Sequence, residues 1–170
     1  MDIPRLRTKR LELLAPSICG LDAYQKFYSD PNASLSYGGP ISNSQIWSRL
    51  KSDLGSWHLS GFGVWMIRVK DSRSIVGTCG FWQGLDWPRE LTWWLLPTAR
   101  GRGYAYEASI AAISHAYDNY LWHKVETYMN DDNKSAKRLV ERLGGTRTRR
   151  ARFPDGEFRD MYHLPRPPLS

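Results

Sequence analysis

The chain has 170 residues, a net charge of +7 at neutral pH and an aromatic content of 13%. That length fits a single domain that folds without disulfides or a structural metal. The N-terminal segment is charged where a signal peptide is apolar, and no run approaches the roughly 18 apolar residues of a membrane span. The two cysteines, Cys19 and Cys79, form no C-x-x-C pair. We therefore expect a cytoplasmic protein with one domain over residues 1–170, of which 165–170 form a flexible tail, and no membrane contact.

The positive charge is concentrated near the C-terminus. Residues 134–166 carry 10 Lys and Arg against 4 Asp and Glu, whereas residues 1–133 carry 14 against 13. Such a cluster attracts nucleic acid or a polyphosphate, but it is also typical of a solvated basic face. The segment lacks the interleaved aromatic residues of single-strand binders, so nucleic acid is not the expected partner. The 4 histidines show no metal-ligand spacing, and no metal site is expected.

The elements of the first half of the chain are read from its apolar periodicity. Residues 10–14 predict a strand, and residues 21–29 predict a short helix. Residues 41–57 predict a second helix that Ser42 and Gln45 open as a capping box. Two apolar runs, 63–69 and 75–82, predict a hairpin around the turn KDSRS, and 89–97 predict a further strand that stops at a proline.

The second half opens with a loop that contains two glycines. The segment LLPTARGRGYAYEA, residues 95–108, passes from an apolar strand end into a helix with alanines at helical spacing. Residues 124–129 then predict a strand, 133–145 a helix, and 146–164 two strands joined by a PDG turn. The order predicts an α/β (α+β) domain of about seven strands and about four helices.

The glycine loop suits an anion. Gly101 and Gly103 leave room for a ligand at a helix N-terminus, and Arg100 and Arg102 add positive charge. No Gly-Lys-Ser/Thr follows, which excludes the Walker pattern, and Tyr106 stands at the third position of G-x-G-x-x-G. The remaining interpretations are another phosphate-binding loop or an ordinary strand-to-helix turn.

Four separated motifs resemble the GNAT family of N-acetyltransferases, and in particular its ribosomal-protein-alanine N-acetyltransferase (RimJ/RimL-type) branch. They are TKRLELLAP, ELTWWLLP, GRGYAYEA and NKSAKRLVERLG, in that order along the chain. The third motif follows Arg100 and completes the signature R-x-x-G-x-A of the family. The resemblance implies the GNAT fold, a mixed and mostly antiparallel central sheet that is splayed at the acetyl-CoA site.

The resemblance also implies acetyl-CoA as co-substrate. Its pyrophosphate would lie on the backbone N–H groups of residues 101–105, and its pantetheine arm along the end of the strand before the loop. The cofactor-binding residues implied are Leu95, Leu96, Arg100, Gly101, Arg102, Gly103, Tyr104, Ala105 and Asn133. Family habit also suggests a homodimer.

Transfer of an acetyl group to an amine needs a base that accepts the proton of the ammonium group. Glu90 is the candidate catalytic residue because it occupies the family's glutamate position, although a structural pair with Arg89 or another basic residue remains an equal alternative. Glu126, on the next strand, is a weaker candidate. Many relatives protonate the leaving thiolate with a tyrosine where this chain has Val140. Ser135, Tyr128 or solvent would then take that role.

Substrate choice is expected to depend on Trp82, Trp87, Trp93 and Trp94 and on the helical region 24–57, and the expected substrate-binding residues are Trp82 and Trp93. Because Trp93 and Trp94 are adjacent on a strand, they should face opposite sides, and at most one should line a given cleft. The expected function is an acetyl-CoA-dependent N-acetyltransferase acting on a primary amine of a protein N-terminus or a small molecule. The alternative is a non-catalytic module that binds CoA or RNA on the same fold.

Overall fold

The structure, a computed structural model, describes residues 1–169 and contains eight strands and four helices in that range. The strands are Leu6–Arg7 (β1), Leu11–Leu14 (β2), Val64–Val69 (β3), Ile75–Trp82 (β4), Glu90–Leu95 (β5), Val125–Tyr128 (β6), Thr146–Arg152 (β7) and Phe158–Leu164 (β8). The helices are Leu21–Ser29 (α1), Asn43–Ser60 (α2), Tyr104–Asp118 (α3) and Lys134–Arg142 (α4). The predicted order of elements is confirmed, with β1 as one additional short strand.

Local sequence explains where α2 begins and ends. The Gln45 N–H donates to Ser42 Oγ at 3.2 Å, and the Ser42 N–H donates to Gln45 Oε1 at 2.9 Å, which completes the predicted capping box. The helix ends at Gly61, whose φ of 79° is a left-handed conformation that favours glycine. Within residues 1–169, no helix combines the length and apolar character needed to cross a bilayer.

The strands form two antiparallel sheets, one in the order β1-β2-β3-β4-β5 and the other in the order β6-β8-β7. β5 and β6 are neighbours without a shared backbone ladder, and two side chains bridge them at one end. Thr127 Oγ1 donates to the Leu91 carbonyl at 2.8 Å, and Tyr128 Oη donates to the Pro88 carbonyl at 2.9 Å. The predicted mostly antiparallel, splayed sheet is confirmed, and the opening lies between β5 and β6.

Helices cover both faces of the first sheet. The buried alanines of α3, Ala108, Ala112 and Ala116, form the smooth surface that lets this helix approach the sheet closely, in one cluster with Leu95. Trp94 points to the opposite face and packs under α1 and α2 in a second cluster. The sheet is therefore held between two cores, and β5 contributes to both.

The C-terminal segment after β8 returns to α3. Arg166 forms an ion pair with Asp118, and its guanidinium carbon lies 5.1 Å from the centre of the Tyr117 ring. The first part of the predicted tail thus contacts the helix, while Ser170 lies outside the described residues.

Candidate active site

A cavity of about 720 Å³, which we call the main cavity because it adjoins the gap between the sheets, lies where the two sheets separate. On the face covered by α1 and α2 it is lined by alternate strand residues, among them Thr78, Trp82, Glu90, Thr92 and Trp94. It then passes around the free edge of β5 to reach Trp93, β6 and the start of α4. Both expected substrate-binding residues, Trp82 and Trp93, therefore line it.

The expectation that only one of Trp93 and Trp94 could line a cleft is wrong. The two side chains do point to opposite faces of β5, as strand geometry requires. The cavity nevertheless touches both, because the edge of β5 is open on the side of β6 and the cavity wraps around it.

The open edge of β5 presents backbone groups to the gap. The Leu96 N–H donates to the Val76 carbonyl at 2.8 Å, and Leu95 is opposite Gly77 in the same ladder. Because bonded and non-bonded pairs alternate in an antiparallel ladder, the backbone groups of Leu95 and Trp93 point away from β4 toward β6. The Leu95 N–H is thus available to a ligand in the gap, whereas the Trp93 N–H lies beside the Tyr37 hydroxyl.

Leu96 departs from its expected role. Its N–H donates to the Val76 carbonyl, and its own carbonyl accepts from the Ala99 N–H at 2.9 Å. Both backbone groups are therefore engaged, so Leu96 cannot supply the free backbone contact that the resemblance implied. Leu95 occupies the position that can.

The loop after β5 leads into α3 through two left-handed glycines. Gly101 has a φ of 77° and Gly103 a φ of 81°, and Gly103 is the N-cap residue of α3 with no capping side chain. The Glu107 N–H is the first to bond within the helix, to the Gly103 carbonyl at 3.0 Å. The N–H groups of residues 104–106 therefore lack intrahelical partners, which is the arrangement that binds anions at helix N-termini.

Hydrogen bonds of Arg10 and Glu107 hold this loop in place. Glu107 accepts hydrogen bonds from Thr8 Oγ1 at 2.5 Å, the Arg10 N–H at 2.9 Å and Arg10 Nε at 2.8 Å. Arg10 Nη1 also donates to the Arg102 carbonyl at 2.8 Å. Sequence reasoning missed this anchor, because the partners are almost a hundred residues apart and no local pattern links them.

The other predicted cofactor residues lie around the same loop. Arg102 and Tyr104 line a second cavity of about 830 Å³, and Gly103 lines a third of about 470 Å³ on the other side of the loop. Arg100 is exposed, and its Nε donates to the Leu95 carbonyl at 3.3 Å. Ala105 is partly buried against the core under α3.

Asn133 borders the main cavity at the start of α4. Its Oδ1 accepts from the Ala136 N–H and from Ser135 Oγ, both at 3.2 Å, so it acts as the helix cap. Ser135 is exposed and does not line the cavity, whereas Tyr128 does. Val140 is fully buried, as expected of an apolar residue at the position where relatives have a tyrosine.

Glu90 begins β5 and faces the cavity. Within the described residues its carboxylate forms no hydrogen bond or ion pair, and burial raises its pKa well above the usual range against the opposing charge of Arg159. Arg89 does not pair with it, because the Arg89 guanidinium lies 3.3 Å from the centre of the Trp122 ring. Within the described residues the Glu90 carboxyl therefore has no structural ion pair.

One face of α2, within the helical region expected to influence substrate choice, adds polar groups that sequence reasoning did not single out. Arg49, Ser52, Asp53 and Ser56 follow one another at helical spacing, and all four line the cavity. Asp53 Oδ2 accepts from Tyr24 Oη at 2.6 Å, and burial raises the pKa of Asp53 to about 6. The spacing of three and four residues was the available signal for this stripe.

The opposite wall, on the second sheet, contains a closed ion pair. Arg159 Nη2 lies 2.7 Å from Asp155 Oδ2, and Nη1 donates to Asp155 Oδ1 at 3.1 Å. Arg159 Nε donates to Asn130 Oδ1 at 2.8 Å. The guanidinium carbon also lies 5.6 Å from the centre of the Trp87 ring. Arg159 thus contacts both a carboxylate and an aromatic ring.

Neither cysteine borders the main cavity. Cys79 is buried, with its Sγ 3.7 Å from Ser109 Oγ, and burial raises the pKa of its thiol to about 12. Cys19 is exposed and lines the second cavity. Residues 1–169 contain no group of three or more His, Cys, Asp or Glu placed to hold a metal ion.

A splayed sheet with a free strand edge and an uncapped helix N-terminus is suited to a long ligand that carries an anionic group. The model of the GNAT acetyltransferase domain family matches residues 10–146, so the chain belongs to the GNAT acetyltransferase family.

Solved structures agree with this assignment. The chain is similar to the acetyltransferase from Agrobacterium tumefaciens str. C58, with 32% identity over 96% of this chain and 95% of that chain and a TM-score of 0.86. It is also similar to a protein from Bordetella pertussis described as a GNAT-family acetyltransferase, with 24% identity, coverage of 96% and 100%, and a TM-score of 0.79. RimL, the ribosomal L7/L12 α-N-protein acetyltransferase, shares the fold in complex with coenzyme A, with 13% identity, coverage of 94% and 97%, and a TM-score of 0.75.

Proposed function

We propose that this protein transfers the acetyl group of acetyl-CoA to a primary amine, with Glu90 as the general base. Membership of the GNAT family establishes acetyl transfer as the general activity. The observation that supports an amine acceptor is the position of the partner-free Glu90 carboxyl, in a cavity that adjoins the open edge of β5. A cavity of about 720 Å³ is of the size that binds small ligands.

The proposed place of acetyl-CoA follows from the groups that lack partners. The N–H groups at the start of α3 suit the pyrophosphate, with Gly101 and Gly103 leaving space for it. The Leu95 N–H suits an amide carbonyl of the pantetheine arm in the gap between β5 and β6. The structure of RimL, which has the same fold, is of its complex with coenzyme A, and this supports the proposed placement of acetyl-CoA.

Acetyl-CoA supplies a reactive thioester, and the chain supplies the proton acceptor and the oxyanion contact. Glu90, with its raised pKa, takes a proton from the ammonium group and releases a neutral amine. The amine nitrogen bonds to the thioester carbon while the Leu95 N–H donates to the carbonyl oxygen. The C–S bond then breaks, the nitrogen releases its second proton to solvent to leave the neutral amide, and the thiolate takes a proton from solvent or from Tyr128, the hydroxyl candidate that lines the cavity.

The charges of β7 argue against the alternative of an RNA-binding module. Arg147 Nε lies 2.9 Å from Asp160, Arg149 Nη1 lies 3.3 Å from Glu126, and Arg150 Nη2 lies 2.7 Å from Asp131. Exposed pairs of this kind add little stability, but they neutralise most of the local charge that a phosphate backbone would need.

The test has two stages. Acetyl-CoA at millimolar concentration should raise the unfolding temperature, since a ligand at 100 times its Kd adds about 2.7 kcal/mol to the free energy of unfolding. ATP at the same concentration is the control for charge alone. Thiol release is then measured with a panel of small amines and N-terminal peptides.

The two stages separate the two candidate functions. Stabilisation by acetyl-CoA followed by amine-dependent thiol release supports the proposal. Stabilisation without turnover of any amine favours the binding module, and equal effects of acetyl-CoA and ATP contradict the placement of the pantetheine arm.

A further inference from the structure

The cavity beside Glu90 contains two guanidinium groups that differ in how their charge is balanced. Arg159 is neutralised by Asp155 and fully bonded through Asn130. Arg49, on the opposite wall, has no carboxylate partner within residues 1–169. Its one side-chain hydrogen bond is to Tyr28 Oη at 3.5 Å.

The surroundings of Arg49 orient it without neutralising it. Its guanidinium carbon lies 5.2 Å from the centre of the Tyr28 ring, which fixes the plane of the group. Asp53, one helical turn away on α2, attracts Arg49 electrostatically but forms its hydrogen bond with Tyr24, at 2.6 Å. A cation held over an aromatic ring at the wall of a cavity, with no carboxylate in direct contact, is well placed to bind an anionic ligand group.

The cavity therefore offers the carboxyl group of Glu90 on β5 and the guanidinium of Arg49 on α2, neither of which forms an ion pair within residues 1–169. The space between them is bordered by aromatic side chains, including Tyr37, Trp82 and Trp87. Such walls favour an apolar or planar side chain on the ligand.

We propose that the acceptor carries a carboxylate as well as its amine, and that Arg49 binds this carboxylate while the amine lies at Glu90. The inference rests on the proposed function for the role of the amine. The carboxylate belongs either to a free amino acid or to an acidic side chain near the N-terminus of a peptide. Arg49 is in both cases a specificity-determining residue that contacts the acceptor.

Binding is measured by the fluorescence of the cavity tryptophans, with coenzyme A present, so that turnover is not required. The matched probes are phenylalanine and phenylalaninamide, which differ in the charge of one group. The wild-type protein should bind phenylalanine about 10-fold or more tightly than the amide, as expected for a hydrogen-bonded ion pair. The dipeptides Phe-Asp amide and Phe-Asn amide test the peptide source in the same way.

Two substitutions at Arg49 assign the preference. Arg49→Gln should remove it, and Arg49→Lys should retain part of it, because lysine keeps the charge but loses the bidentate geometry. Lys51→Gln is the matched control, since it removes the same charge from the same helix at an exposed position outside the cavity. Thermal unfolding of each variant verifies that it is folded.

Equal binding of the charged and uncharged probes, or no binding of any of them, would overturn the proposal, as would an unchanged preference in folded Arg49→Gln. Thiol release with the same probes reports separately on acetyl transfer. A carboxylate preference in binding without thiol release supports the acceptor site and contradicts the proposed function.

Discussion

Glu90 combines three properties that rarely occur together at a structural carboxylate. It lines the main cavity, it has no partner within the described residues, and burial raises its pKa well above the usual range. A carboxylate kept for stability would instead accept hydrogen bonds, as Glu107 does from Thr8 and Arg10. The comparison within one molecule distinguishes a reactive acid from an anchoring one.

Glu90→Gln should lower turnover by about 10²–10⁴-fold, the usual contribution of a general base, while the affinity for acetyl-CoA is unchanged. The wild-type rate should rise with pH as Glu90 loses its proton, and the variant should lack this dependence. Initial rates across pH and titration with acetyl-CoA measure the two effects. Glu141→Gln, at an exposed position on α4, is the control.

Glu90→Gln should lower turnover, but it should not lower the stability of the protein. Because the folded pKa of Glu90 lies above its unfolded value, the folded state holds a proton that the unfolded chain has released. The free energy of unfolding therefore falls as pH rises through that interval, and Glu90→Gln should remove this loss. Thermal unfolding at neutral pH should show a variant at least as stable as wild type, and a marked loss of stability would indicate a structural role.

At the scale of elements, the segment from β5 to α3 concentrates the site. One strand supplies Glu90 at its start and the free Leu95 N–H near its end, and the loop that follows exposes the N-terminus of a helix. Gly101 and Gly103 make that turn possible because both have left-handed backbone conformations.

Gly103→Ala should weaken acetyl-CoA binding at least 10-fold, because the added Cβ lies 3.2 Å from Arg10 Nη2 and displaces the guanidinium that holds the loop through the Arg102 carbonyl. It should also cost about 1–2 kcal/mol in stability, since its φ of 81° is unfavourable for any side chain. Gly61→Ala is the matched control, with a φ of 79° at the end of α2. Calorimetric titration should show reduced affinity only in Gly103→Ala, and equal affinities in the two variants would contradict the loop assignment.

Strong local signals made most elements predictable. The bounds of α1 are those predicted, and the capping box of α2 has the predicted hydrogen bonds. β1 was missed because its two residues show no alternation and are defined only by pairing with β2. Arg49 and Asp53 were missed as site residues because a polar helical stripe usually faces water, and the cavity beneath it depends on how α2 packs.

At the scale of the whole molecule, the site exists because the two sheets do not join. β5 belongs to the first sheet and β6 to the second, and the bridges from Thr127 and Tyr128 close the gap at one end only. A ligand in the remaining gap contacts both sheets and completes the wall of the acceptor cavity. Sequence motifs identified the family, whereas this arrangement emerges from the packing of distant segments.

The inaccessible Cys79 determines the kinetic pattern expected of the protein. A thiol that is buried, with a pKa near 12, cannot receive the acetyl group from one substrate and keep it for the next. Cys79 therefore cannot carry the acetyl group. Under the proposed direct transfer, donor and acceptor occupy the protein at the same time, and double-reciprocal plots of initial rate should intersect rather than run parallel. Parallel lines would reveal a covalent acetyl-protein intermediate, and Cys19→Ser would show whether the exposed thiol carries it.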